Sequence, residues 1–205
     1  MSPFNPKHRD TPASQITIAL YRIVQAIDYI FRERGKAMRL SPTQIQSLFF
    51  LKYARPGIRT IGGLANRLGV AYATSSGVAD ALESKQLIRR TPLPEDQRVV
   101  TLGLTPKGER DIEALNDVLD EIELAVAALS ETEQVVLMRA TQAIVRRLQR
   151  AGYVNVYEMC WGCQFFEKDA HPNDPREPHH CTFVDAPLSE PNTYLECPDF
   201  VPAES

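Results

Sequence analysis

Apolar positions recur at helical spacing along most of the first 150 residues. Ile16, Leu20, Ile23, Ile27 and Ile30 fall on one stripe, so residues 14–34 predict an amphipathic helix with Gly35 at its stop. "LSPTQIQSLFFLKY" predicts a second helix, with Ser41 as N-cap, Pro42 at the first helical position and Gln44 closing a capping box. Leu40 and Ile45 form its hydrophobic staple, and Pro56-Gly57 ends it. In "TIGGLANRLGV", Ile61, Leu64, Ala65 and Leu68 share one face and Gly69 is a C-terminal stop. "YATSSGVADALESKQLI" follows after a very short turn, and two short helices joined this tightly predict a helix-turn-helix.

In the second helix of that pair Val78, Ala81 and Leu82 are expected inside, leaving Tyr72, Ala73, Ser75, Ser76 and Ala79 largely outside. A solvent-facing helix normally carries several charges, whereas a small, hydroxyl-rich face suits a helix that reads a groove. "LIRRTPLPEDQRVVTLGLT" then reads as strand, proline-rich tip and returning strand, with β-branched Val99, Val100 and Thr101. A hairpin directly behind such a helix makes a winged helix. Thr105-Pro106 caps a long helix with Ile112, Leu115, Leu119, Ile122 and Val126 on one stripe, and Ser130 with Glu133 opens another that runs to about Arg150.

Charge divides the chain in two. Residues 1–150 carry 21 Lys and Arg against 16 Asp and Glu, while residues 151–205 carry 2 against 10, so a body of net +5 precedes one of net −8. The basic excess lies within residues 41–110, which hold 10 basic and 5 acidic side chains, the modest footprint of a nucleic-acid-binding surface. With 43% apolar and 24% charged residues in 205, the chain can bury a sizeable core. The first 15 residues have no apolar core or cleavage pattern of a signal peptide, and no apolar run approaches the roughly 20 residues of a membrane span. Cytoplasmic residence without membrane contact is therefore expected. Reducing conditions there disfavour structural disulfides, so clustered cysteines point to metal or redox chemistry.

The order of a long helix, a helix, a helix-turn-helix, a wing and two long helices resembles the MarR family of winged-helix transcriptional regulators. "PEDQRVVTLGLTPKGE" is similar to that family's wing signature of Asp, Arg, strand and Leu-Thr-x-x-Gly turn. The resemblance covers about residues 12–150. It implies a mainly α fold: a winged helix-turn-helix with long dimerisation helices, to which this chain adds a small irregular Cys-rich tail. It also implies that Asp96 holds Arg98 and that Arg98, at the wing tip, enters the minor groove. Tyr72, Ala73, Thr74, Ser75 and Ser76 take the recognition-helix positions, Thr60 starts the supporting helix, and Arg90 on the outgoing wing strand is counted with them. Where many relatives have a polar N-cap and a basic residue, this chain has Ala71 and Gly77, and the first of the paired wing arginines is Gln97. Reading of guanine by a bidentate Arg is therefore absent from this helix, and specificity leans on hydroxyls, Tyr72 and groove shape. The resemblance further implies a homodimer, whose two recognition helices would meet a pseudopalindromic operator in double-stranded DNA about 34 Å apart.

Every cysteine lies in the last quarter, at Cys160, Cys163, Cys181 and Cys197, in a C-x2-C-x17-C-x15-C spacing. The same stretch holds His171, His179 and His180, and residues 151–205 include seven prolines. A piece this small and proline-rich cannot bury an adequate core unaided, so a metal cross-link through the four thiols is expected. Zinc ribbons usually have two C-x2-C knuckles, whereas Cys181 and Cys197 stand alone. "CWGCQFF", the isolated Cys181 and the Cys-Pro of "ECPDF" are similar in spacing to high-potential iron–sulfur proteins, although the tryptophan expected before the last cysteine is missing. An iron–sulfur cluster is the reading taken, with Zn2+ as the alternative. Trp161, Phe165, Phe166, Phe183 and Tyr194 supply aromatic groups for an apolar shell around either centre, and the histidines stay open as surface groups, supporting groups or one replacement ligand.

The organisation that follows is an arm and dimerisation helix over residues 1–40, a winged helix-turn-helix over 41–105, C-terminal dimerisation helices over 106–152 and a Cys-rich metal-binding module over 153–205. No parallel-sheet pattern surrounds Cys160, no phosphate-binding glycine loop is present and no Ser-His-Asp set stands out, so an enzyme is not expected. Three readings compete: a DNA-binding regulator sensing redox or iron status, a regulator of small-molecule effectors with a structural zinc module, and an electron-transfer or interaction protein that does not bind DNA.

Overall fold

Hydroxyl caps start most of the helices. The computed structural model describes residues 2, 4–8, 10–54, 56–92, 100–154, 160–194, 197, 200, 201 and 203. Helix α1 (Pro12–Lys36) begins at Thr11, α2 (Pro42–Tyr53) at Ser41 with the complete Ser41–Gln44 capping box, and α3 (Ile61–Leu68) at Thr60. Helix α4 (Tyr72–Ser84) starts at Ala71 without a side-chain cap. The wing strands β1 (Ile88–Pro92) and β2 (Val100–Leu104) pair antiparallel, Ile88 opposite Leu104 and Pro92 opposite Val100. Thr105 caps α5 (Pro106–Glu113), α6 (Asp120–Ala127) follows, and the Ser130–Glu133 capping box opens α7 (Glu131–Arg150).

The core lies around α2, whose Ile45, Leu48 and Leu51 are fully buried with Leu64 of α3, Leu82 of α4, Leu87 and Ile88, Leu102 of β2, and Ile112 and Leu115. Two glycines permit close backbone approach within it. A Cβ on Gly63 would lie 1.9 Å from the Ile58 carbonyl oxygen, and one on Gly108 would lie 2.0 Å from that of Leu87. Gly69 takes the left-handed conformation (φ 62°, ψ 34°) that ends α3 and lets the chain re-enter a helix three residues later.

Two boundaries differ from the sequence expectation. Gly35 lies within the last turn of α1 and does not stop it. The glycine is needed because a side chain there would meet the Leu40 carbonyl oxygen at 2.3 Å. The long helix expected after Thr105 divides into α5 and α6. Between them the backbone closes i→i−3 hydrogen bonds, Leu115 N–H to Ile112 O, Asn116 N–H to Glu113 O and Val118 N–H to Leu115 O, and the Asn116 amide donates to the Glu113 carboxylate. This tighter winding rotates Leu115 and Val118 together into the core while Leu119 turns outward.

Several apolar side chains of the outer helices remain exposed, among them Ile16, Ile23 and Val24 on α1, Leu124 on α6 and Val136 and Leu148 on α7. No helix is long and apolar enough to cross a membrane among the described residues. Beyond α7 the tail, expected to be irregular, contains a three-stranded antiparallel sheet of β3 (Phe166–Glu167), β4 (His179–Cys181) and β5 (Ala186–Leu188) in that order.

Gly63→Ala should destabilise the fold by about 1–3 kcal/mol, because rigid backbone lies where the methyl would go. Gly77→Ala, with nothing within 4 Å of its added carbon in the middle of α4, should stabilise by up to about 1 kcal/mol. Urea denaturation of the two variants against the parent measures both.

Candidate nucleic-acid interface and cysteine module

Ser75 and Ala79 face inward, contrary to the outward orientation expected from sequence. Both are completely buried, and the Ser75 hydroxyl donates to the Ile61 carbonyl oxygen at 3.1 Å, tying α4 to the first turn of α3. The physical reason is the stripe Ser75, Ala79, Leu82, spaced i, i+4, i+7, whose small members let the two helices approach. Ser75 therefore cannot present its hydroxyl to a groove. The face that remains open comprises Tyr72 (64% exposed), Ala73, Thr74 and Gly77, with Ser76 half-buried beside them. Asp80 continues this face, and its charge is paired.

Arg90 is paired within its own chain. Its guanidinium binds the Asp80 carboxylate at 2.6 Å and also that of Glu83, and Glu83 accepts the Arg90 backbone N–H at 3.3 Å as well. Burial works against the charged form while these two carboxylates favour it, and the net effect raises the Arg90 pKa. Its charge thus joins α4 to β1. Neighbouring Arg89 is exposed, its stem running along Gly103 on the partner strand. Sequence reasoning passed over it, although period-two alternation along β1 puts residues 89 and 90 on opposite faces.

Thr60 is half-buried at the N-cap of α3, where its hydroxyl oxygen accepts the Gly63 N–H at 3.0 Å, and its backbone bridges to Thr101 of β2. The Leu102 N–H donates to the Arg59 carbonyl at 2.6 Å, so the root of the wing is sewn to the start of α3. Asp96 and Arg98, the expected wing-tip pair, lie outside the described residues.

In the tail, none of the four cysteines is joined in a disulfide, and all are of intermediate exposure. Cys160 and Cys163 form a knuckle closed by the Cys163 N–H to Cys160 O bond at 2.8 Å. Cys181 ends β4 opposite Phe166, and Cys197 follows the single turn at 191–194. Burial, then the charges of Cys197, Cys163 and Cys181, push the Cys160 thiol up to about 11. The charges of the other three cysteines act on Cys160, yet among the described residues no group of three or more Cys, His, Asp or Glu side chains is placed to hold a metal ion. The donor set nonetheless fits a thiophilic metal: four soft ligands, mutually repelling when ionised, which a cation would neutralise.

The aromatic shell is partly assembled. Trp161 packs against Phe166 at 5.1 Å between ring centres, and Phe165 against Phe183 at the same separation. The Tyr194 side chain lies outside the described residues. Of the histidines, His171 Nε2 lies 3.0 Å from His180 Nδ1, whose other nitrogen lies 3.2 Å from Asp185, while His179 is buried.

Comparison with known proteins bears on the winged helix. Residues 40–100 match the MarR family model. The HTH-type transcriptional repressor MdtR of Bacillus subtilis is 32% identical over 103 residues, which are 50% of this chain and 65% of that repressor, so the chain spans less than two thirds of this relative's length. The fold is similar to that of S. aureus MepR in complex with DNA (TM-score 0.59, 24% identity, 64% of this chain and 97% of that one). It is also similar to the transcriptional repressor CouR bound to a 23-mer DNA duplex (TM-score 0.53, 26% identity, 62% of this chain and 89% of that one). In the order of its elements, the pairing of its wing strands and the extent of these matches, the winged-helix segment of this chain is similar to proteins of the MarR family.

Proposed function

We propose that this protein is a dimeric, sequence-specific DNA-binding regulator of transcription, with a metal centre on Cys160, Cys163, Cys181 and Cys197 that reports redox or iron status. The observation that carries the DNA-binding reading is the open face of α4, made of Tyr72, Ala73, Thr74, Ser76 and Gly77, whose one acidic neighbour, Asp80, is paired with Arg90. It sits on a helix locked to α3 by Ser75 and to the wing by Arg90. Small side chains let a helix sink into the major groove, Thr74 and Ser76 offer hydroxyls to base edges, and Tyr72 at the helix start can reach a thymine methyl or the backbone. Arg89, together with Arg98 at the wing, supplies phosphate or minor-groove contacts. The likeness to CouR, a transcriptional repressor solved on a DNA duplex, supports the same use of the segment.

The exposed apolar stripes of α1 and α7 support pairing with a second copy, since one chain leaves them in water. A twofold dimer would then address a pseudopalindrome. For the tail, the C-x2-C-x17-C-x15-C spacing and the soft, four-thiol donor set support a four-cysteine centre. An iron–sulfur cluster there would supply one-electron and oxygen sensitivity, and loss of the centre would loosen the acidic module.

Arg89→Ala and Arg98→Ala should each weaken binding at every sequence and reduce the salt slope of operator binding by about one phosphate equivalent. A titration series in potassium chloride measures this, and an unchanged slope in both would remove the wing from the interface. Thr74→Ala and Ser76→Ala should shift base preference in a selection from random duplexes.

Chain purified without oxygen should be brown and carry iron with acid-labile sulfide, whereas colourless protein with about one zinc per chain would make the module structural. In metal-free protein at pH 8, a thiol near pH 11 is thiolate to about one part in a thousand. Alkylation of Cys160 should therefore rise about tenfold per pH unit up to about pH 11. Because the raised value favours the protonated thiol and a metal must displace that proton, metal affinity should fall as pH falls throughout this window. Mass spectrometry of the labelled peptide and a metal titration at three pH values check the two statements.

A further inference from the structure

The tail has a polar centre. Among its described residues only His179, Thr193 and Phe200 are buried, and His179 is 2% exposed. Both of its ring nitrogens are engaged. The Asp169 backbone N–H donates to Nδ1 at 3.1 Å, so Nδ1 carries a lone pair and the proton resides on Nε2, which donates to the Glu190 carboxylate at 2.7 Å. The Asp169 carboxylate lies 3.5 Å from Nδ1 on the same side. Trp161 meets the ring edge-on at 5.6 Å and Phe166 packs against it at 5.3 Å.

Each of these neighbours leads to a cysteine. Trp161 adjoins Cys160, and its indole N–H donates to the Thr193 hydroxyl at 2.8 Å, which in turn donates to the Glu190 carbonyl at 2.7 Å. Phe166 stands opposite Cys181 in the sheet, and His179 is two residues before Cys181 on the same strand. Glu190 and Thr193 begin the arm that ends in Cys197. A single imidazole therefore connects the Cys160–Cys163 knuckle, the Cys181 strand and the Cys197 arm.

We propose that His179 is the positioning residue of the metal centre: it holds the three cysteine-bearing segments in register and sets the affinity of the site, and it is not itself a ligand. With Nδ1 accepting and Nε2 donating, the ring has no lone pair to give a metal while these bonds stand. His171 and His180 are engaged elsewhere, since they contact each other and His180 also lies against Asp185, on the opposite face of β4. The inference rests on the four-cysteine reading given above, and the test separates the two.

Full-length protein, made metal-free, is titrated anaerobically with Co2+ against a competing chelator. The parent chain should show the intense thiolate-to-cobalt absorption of a four-sulfur site. His179→Ala should leave the position and intensity of those bands at saturation unchanged while lowering affinity by about 10–100-fold. Glu190→Ala, which frees the Nε2 proton without touching the ring, should lower it in the same direction, and the double variant should lose little more than His179→Ala alone. His179→Gln, which can restore a donor toward Glu190, should recover part of the loss. If His179→Ala removes a sulfur-plus-nitrogen spectrum and leaves a weaker three-sulfur one, His179 is a ligand and the proposal fails. Affinity within threefold of the parent in both His179→Ala and Glu190→Ala also overturns it. Should His179→Ala unfold the tail, Glu190→Ala alone decides by the same affinity criterion. A parent chain that binds no Co2+ overturns the four-cysteine reading itself, and this inference with it.

Discussion

The winged-helix half of this molecule depends on how closely α4 can approach α3. Two helices joined by the short turn at Gly69 must cross within one or two turns of their ends, and bulky residues at the crossing would splay them apart. Ser75 and Ala79 are small enough for that crossing, and the Ser75 hydroxyl caps the Ile61 carbonyl so that burying it leaves no unsatisfied polar group. Fixing this contact fixes the rotation of α4 about its axis, and with it the identity of every outward residue. The same rotation brings Asp80 and Glu83 toward the wing, where Arg90 closes the junction. Recognition helix and wing thereby become one rigid unit, so a groove contact made by either orients the other.

Charge follows the same division of labour. Basic residues near the helix-turn-helix are used in two ways: Arg59, Lys85 and Arg90 bond to carbonyls or carboxylates of their own chain, while Arg89 stays exposed. A net excess over residues 41–110 thus overstates what DNA could meet. The strongly acidic tail cannot add to a phosphate-binding surface, because like charges repel, so its presence calls for a different role.

Much of this was legible in the sequence, and the misses have physical causes. Caps at Ser41, Thr60, Thr105 and Ser130 were readable because capping depends on a local residue pattern that tertiary contacts reinforce. The wing was readable from β-branched strands and a proline-rich tip. Ser75 was not, because a serine is equally at home on either face of a helix, and only the i, i+4, i+7 spacing to Ala79 and Leu82 distinguishes them. Gly35 was misassigned because glycine serves two needs, left-handed backbone and close approach, and the sequence does not say which applies. The break between α5 and α6 escaped a stripe argument because tightened turns can keep Leu115 and Val118 buried without a continuous helix. The pairing of Arg90 was not legible because its carboxylate partners lie seven and ten residues earlier, across a chain reversal that only the fold brings together.

The tail presents the opposite case, in which composition was informative and local pattern was not. Four cysteines and seven prolines in 55 residues raised the expectation of a cross-linked module, yet nothing in "EPHHC" distinguishes the buried His179 from its half-exposed neighbour His180. The difference arises from alternation along β4, which turns adjacent side chains to opposite faces. An apolar residue at position 179 would bury more efficiently, but it could not hold Asp169 and Glu190 at once. A centre built from hydrogen bonds is directional where a greasy one is not, and it specifies how three segments without regular structure must meet. Such an arrangement is marginal in isolation, since each bond contributes on the order of 1 kcal/mol. Its stability should then be strongly coupled to whatever the four thiols bind, which is the property a sensor requires and a passive appendage does not.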